Sequence, residues 1–131
     1  VNLPVRGGSG DAVYLSLVEH VVAPLAHSFQ PGLILVSAGY DAHHEDPLAS
    51  CTVTEGGYAA MTRALQRVAS ELEIGLGFVL EGGYALGALA RSVAATLEAL
   101  QSPGPSSEVA VAPDSVAARQ RLAQWWPELG G

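Results

Sequence analysis

Two short stretches of this chain concentrate the residues able to do chemistry. The first is Ser37-Ala38-Gly39-Tyr40-Asp41-Ala42-His43-His44-Glu45-Asp46-Pro47-Leu48-Ala49. Asp41, His43, His44, Glu45 and Asp46 set five potential metal ligands within six residues. Zinc takes imidazole nitrogen and carboxylate oxygen, and catalytic zinc commonly has three protein ligands and an open position. On an extended segment Asp41 and His43 face one way, and His44 and Glu45 the other. Asp46-Pro47 reads as a turn. A carboxylate at such a place serves equally as a helix cap or a loop acceptor, and one loop rarely supplies a whole site. The second stretch is Glu81-Gly82-Gly83-Tyr84. Paired glycines let backbone approach a ligand or take positive φ. Tyr84 brings a phenol that donates a hydrogen bond at pH 7, and placed across from a metal it would stabilise an oxyanion. A plain tight turn is the simpler alternative. A phosphate loop is poorly supported, because neither Gly-x-x-x-x-Gly-Lys-Ser/Thr nor Gly-x-Gly-x-x-Gly is present.

Both stretches follow apolar runs. Leu33-Ile34-Leu35-Val36 and Leu76-Gly77-Phe78-Val79-Leu80 have the composition of buried parallel strands. Ligands bind beyond the carboxyl ends of such strands, so the two loops can share a pocket. Ser9-Gly10-Asp11 predicts a helix start with Asp11 as N-cap. Tyr14, Leu17, Val18, Val21, Val22 and Leu25 then recur at helical spacing, and Pro24 is expected to begin the helix's termination. Thr52 or Thr54 caps a second helix reaching about Leu72, with Met61, Ala64, Leu65 and Val68 on its apolar face. Thr52 has the capping-box partner Glu55, whereas Gly56 and Gly57 weaken the first turn. A third helix spans about Leu86 to Leu100. Ser102-Pro103-Gly104-Pro105-Ser106-Ser107 is a linker by composition. Asp114 or Ser115 caps a last short helix ending near Trp125-Trp126-Pro127, and the Trp pair is expected to pack this tail onto the domain.

The 131 residues suit one domain, and 49% hydrophobic residues give it a core. Net charge is −7 with six basic residues, too few to neutralise phosphates, so direct nucleic-acid binding is not expected. A cationic partner is electrostatically acceptable. Cys51 is the single cysteine; it is read as a small half-buried side chain, and a reducing, cytoplasmic setting is the default. No uninterrupted apolar run approaches the ~18 residues of a membrane span, so no membrane association is expected. Two strands are few for an open α/β sheet, and the chain begins at Val1 as if an element were under way. Both features point to part of a longer protein.

Ser37 to Leu48 and then Leu80-Glu81-Gly82-Gly83-Tyr84, in that order with a helix between, strongly resemble the histone deacetylase superfamily. The match is closest to class II deacetylases and to their acetoin-utilisation and acetylpolyamine amidohydrolase relatives. Asn2-Leu3-Pro4 with Gly8, Gly10, Asp11 and Tyr14 is similar to the segment preceding this region, so the likeness covers about residues 1–100. It implies the C-terminal part of a three-layer α/β/α fold of arginase/deacetylase type with a parallel sheet. By that resemblance Asp41 completes a Zn2+ site, Tyr84 polarises the substrate carbonyl, Gly82 and Gly83 line the acyl-lysine tunnel, and Leu48 stands at its rim. Polyamine-selective members can carry an acidic residue at that rim, so a leucine argues against a polyamine specialist.

The family's other two zinc ligands lie in an Asp-x-His motif on an earlier strand, and its acid/base histidines earlier still. Asp41-Ala42-His43-His44 imitates the former, but its flanks assign it to the later loop, so His43 and His44 are expected only to fill that loop. Ala85 replaces an asparagine often found after the tyrosine. The implied organisation is residues 1–101 as the C-terminal half of a catalytic domain, 102–113 as linker and 114–131 as a helical tail. The implied reaction is zinc-dependent hydrolysis of an acetylated amine, acetyl-lysine or acetylpolyamine, with this chain inactive alone. The alternative is a noncatalytic α/β binding or interaction module that retains these loops.

Overall fold

Helix formation begins one residue earlier than the acidic N-cap predicted. Gly10 is the N-cap, in extended conformation, and Asp11 opens α1 (Asp11–Leu17). The computed structural model describes residues 1–102, 104 and 108–130. Pro24 does not end the helix. It sits in the first turn of α2 (Ala23–Phe29), and the junction is a π-helical segment, Val18–Val22. Proline lacks the N–H owed to the carbonyl of residue 20 and its ring crowds that carbonyl, so a locally wider turn lets the helix continue. The end comes at Gln30, which takes a left-handed conformation (φ 53°) and returns its N–H to Ala26. Asp11–Phe29 is long and apolar enough, by length and composition, to cross a membrane. Asp11, Glu19, His20 and His27 interrupt its apolar run, so no continuous apolar stretch marks it in the sequence. Here Leu17, Val21 and Ala23 are buried against protein, and Glu19 pairs with Arg67.

The strands β1 (Leu33–Gly39) and β2 (Gly75–Gly82) pair in parallel, from Leu33 opposite Gly75 to Ala38 opposite Leu80. A bulge follows: Gly39 pairs with Gly82, leaving Glu81 as the extra residue. Between the strands runs α3 (Glu55–Glu71), and α4 (Leu86–Gln101) follows β2. One sheet face packs with these helices and α1 through Ala38, Tyr40, Val53 and Tyr58, with Val36, Phe78, Met61 and Leu89 against them. Among the described residues the other face is open. Leu33 and Leu35 lie there, more than half exposed, across Gly75 and Gly77, whose missing side chains leave them room. Burial on both faces, the expectation for parallel strands, is met on one face only among the described residues.

Of the two candidate caps for α3, the structure uses Thr54, whose hydroxyl accepts the Gly57 N–H at 3.2 Å; Thr52 instead donates to the Gly8 carbonyl. Asp11 does not cap its own helix. Its carboxylate accepts the N–H of Thr54 at 2.8 Å and its hydroxyl at 2.6 Å, so it ties two helix starts together. That explains Gly57, where a Cβ would lie 2.1 Å from the Asp11 carboxylate.

A second core joins the tail to α1. Leu17 and Val21 meet Ala118, Leu122 and Leu129, with Trp126 packed alongside. The tail helix α5 (Pro113–Leu122) is capped by Ala112, not by Asp114 or Ser115. Proline as the first helical residue needs no N–H partner, and the Ser115 hydroxyl is taken up by a buried contact to Ser16 Oγ at 2.8 Å. Trp126 packs the tail as expected, whereas Trp125 is exposed. Of the compositional linker, Pro103 and Pro105, Ser106 and Ser107 lie outside the described residues.

Candidate active site

The two strand ends deliver their loops to one place. Beyond the bulge the Tyr40 N–H donates to the Gly82 carbonyl at 2.9 Å, which holds the first residues of both loops together. Asp41 follows directly. Its carboxylate occupies a niche floored by glycine: a Cβ on Gly39 would lie 2.9 Å from Oδ1, and one on Gly82 3.5 Å from Oδ2. Two phenols stand nearby, Tyr58 buried and Tyr14 partly buried. Burial pushes the Tyr14 hydroxyl well above its usual range, helped by Cys51 and the Asp41 charge. Burial does the same for Tyr58, again with Asp41 contributing. Both stay neutral at pH 7 and bring no positive charge to Asp41. Cys51 accepts the Tyr14 hydroxyl at 3.4 Å and is partly buried, the small side chain expected of it.

The rest of the first loop is a run of turns and not the extended segment that would set Asp41 and His43 on one side. One parallel bridge, between His43 and Val53, holds it: the Val53 N–H donates to the Ala42 carbonyl and the His44 N–H to the Val53 carbonyl. His43 is fully buried, accepts the Glu45 N–H on Nδ1 at 3.1 Å and sets Nε2 3.3 Å from the Glu55 carboxylate. His44 is exposed and stacks on it, ring centroids 4.4 Å apart. Among the described residues, His43, His44 and Glu45 bring ligand atoms within 4.8 Å of one another. That cluster excludes Asp41, and its Glu45 carboxylate is already held by Arg91 at 2.6 Å. Arg91 also reaches Glu55 at 2.5 Å. Hydrogen bonding from Arg91, then from the Glu55 backbone N–H and the nearby His43, draws the Glu55 carboxyl down to about 2.

Asp46, read from sequence as a turn residue, does more. Its Oδ1 accepts the Leu48 N–H at 2.9 Å, the local turn, while Oδ2 accepts the Tyr84 N–H at 2.8 Å. Burial opposes its ionisation, but the N–H groups of Tyr84, Leu48, Ala49 and Ala85 outweigh that and hold the carboxyl below the usual carboxylate range. The Asp-Pro pair signalled the turn; nothing local signalled a partner 38 residues away.

In the second loop Gly83 has φ +133°, and a Cβ there would press on Leu89 at 3.0 Å and Tyr40 at 3.2 Å. Only glycine suits both the conformation and the space. The Tyr84 ring and the Leu48 side chain are both exposed, at 57% and 71%. The Asp41 carboxylate thus lies against Gly82, while the backbones of Tyr84 and Leu48 meet at the Asp46 carboxylate.

The histone deacetylase domain model matches residues 1–100. Histone deacetylase 14, chloroplastic, of Arabidopsis thaliana is 46% identical over 101 residues, covering 76% of this chain and 24% of that protein. Histone deacetylase 15 of the same plant is 36% identical over 138 residues, covering 98% of this chain and 24% of its own length, so the likeness extends into the tail. The crystal structure of the HDA15 HD domain superposes with a TM-score of 0.83 at 35% identity, over 99% of this chain and 36% of that one. The chain therefore spans about a quarter of the length of these curated relatives. Helices and a parallel sheet in the arrangement of a solved deacetylase domain, together with a domain match over most of its length, place this chain in the histone deacetylase family.

Proposed function

We propose that this chain supplies the Asp41 and Tyr84 side of a catalytic centre that hydrolyses N-acetylated amines. The observation that carries the reading is the convergence of the two loops: Asp41 lies against Gly82, and the Tyr84 backbone is anchored to the Asp41 loop. Gly39 and Gly82 place no side chain against the Asp41 carboxylate, where a Cβ would lie 2.9 Å from Oδ1 and 3.5 Å from Oδ2. A zinc ion bound there, with further ligands from outside the described residues, would supply Lewis acidity and an activated water. Asp41 contributes negative charge and one oxygen ligand. Tyr84 donates its phenolic hydrogen to the oxygen on which charge develops, and Gly82 and Gly83 allow backbone to line the acyl group. Leu48 offers an apolar rim that suits the methylene arm of acetyl-lysine better than a cationic polyamine. The complete centre belongs to a protein longer than this chain, and this chain alone is inactive. The alternative of a noncatalytic module gains no observation of its own.

The test uses the full-length protein and an acetyl-lysine peptide. Asp41→Ala is expected to lose bound zinc, measured by metal analysis. Tyr84→Phe is expected to keep zinc and lose turnover. Normal turnover in the phenylalanine variant would overturn the Tyr84 assignment, and full zinc in Asp41→Ala would overturn that of Asp41.

A further inference from the structure

A Gly-Gly pair has the least restrained backbone in a chain, so Tyr84, directly after it, needs an anchor from elsewhere. The following helix does not provide one: α4 is capped by Ala85, which has no side-chain oxygen to offer. The anchor comes from the other loop. Asp46 is buried, at 7% exposure, and one carboxylate takes the Tyr84 N–H on one oxygen and the Leu48 N–H on the other. Ala85 and Ala49 N–H groups add to these, so the carboxylate lies just ahead of the N-terminus of α4, the end favouring negative charge. Asp46 is itself held, because its N–H donates to the carbonyl of buried His43 at 2.9 Å. A continuous path runs from the buried histidine through the carboxylate to the backbone of the phenol-bearing residue.

We propose that Asp46 is the positioning residue of this centre: it fixes the Tyr84 Cα, and so the reach of the phenol, and binds the Leu48 rim to the same point. The proposal rests on the reading of Tyr84 as the oxyanion-stabilising group. Asp46→Asn preserves shape but leaves one acceptor oxygen for two loops. In the full-length protein, with an acetyl-lysine peptide, the variant is expected to lose about 10–100-fold in kcat, the scale of a 1 Å misplacement. Zinc content should stay near the parent value. In a Tyr84→Phe background the same substitution should cost almost nothing more, because the group it positions is gone. An equal loss in both backgrounds, or an unchanged kcat in the parent, overturns the proposal. Amide exchange at Tyr84 reads the anchor without reference to activity: it should quicken in Asp46→Asn, and unchanged exchange overturns the anchor. Normal turnover in Tyr84→Phe alone would overturn the Tyr84 reading instead, which the exchange result does not depend on.

Discussion

Replacing Tyr84 by phenylalanine removes one oxygen from an exposed ring and leaves its packing alone, so the effect should fall on chemistry. Loss of a single oxyanion donor typically costs ~10²–10³ in rate. That is the fall expected in kcat, with melting temperature and zinc content unchanged. Gly83→Ala should act differently. It forces a side chain into φ +133° against Leu89 and Tyr40, at a cost of about 1–3 kcal/mol, so it should lower both activity and melting temperature. A variant that melts like the parent would show that the loop can re-form around the new methyl. At this scale the sequence singles out Asp41 and Tyr84 as candidates, because a carboxylate and a phenol stand out after apolar strands. It concealed Asp46, whose decisive partner is a backbone N–H that every residue but proline carries.

Between elements, charge and small residues do the joining. The contact of Asp11 with Thr54 requires Gly57 to stay bare. Gly57→Ala gains ~1 kcal/mol of helix propensity yet displaces a charged acceptor from two hydrogen bonds, each worth ~1.5–3 kcal/mol. Thermal unfolding should therefore show a net loss. Arg91 on α4 holds Glu55 at the start of α3 and Glu45 in the first loop. The folded-state Glu55 value, about 2, lies below the ordinary 4.5. Its stabilisation is thus complete above about pH 4.5 and is lost as pH falls toward 2. The gap in melting temperature between the parent and Glu55→Gln should shrink over that window, and a constant gap would remove Glu55 from the acid response. Element types were legible from periodicity, whereas the termini were less so. Pro24 failed as a stop because a π turn absorbs it, and Ser115 failed as a cap because Ser16, distant in sequence, takes its hydroxyl.

Over the whole molecule, the helices cover one sheet face, and the described residues leave the other apolar and open. Leu33, Leu35 and Val79 form that face, and among the described residues each strand pairs on one side only. Exposed apolar surface beside unpaired strand edges promotes association. The 131-residue chain should self-associate in light scattering, and Leu35→Lys should reduce this. A parent that remains monomeric would show the face to be tolerated. Nothing in the sequence announced the asymmetry, since two apolar strands read alike whether one face is covered or two. The bulge at the end of this sheet has a different consequence. Glu81 points its side chain to solvent and pairs with no residue of β1, yet its presence decides which glycine meets Asp41 and which takes the positive φ. Glu81→Gln should therefore be nearly silent, whereas deleting Glu81 would bring both glycines and the phenol in one step too soon. At that position the protein depends on how many residues it has and hardly on which one.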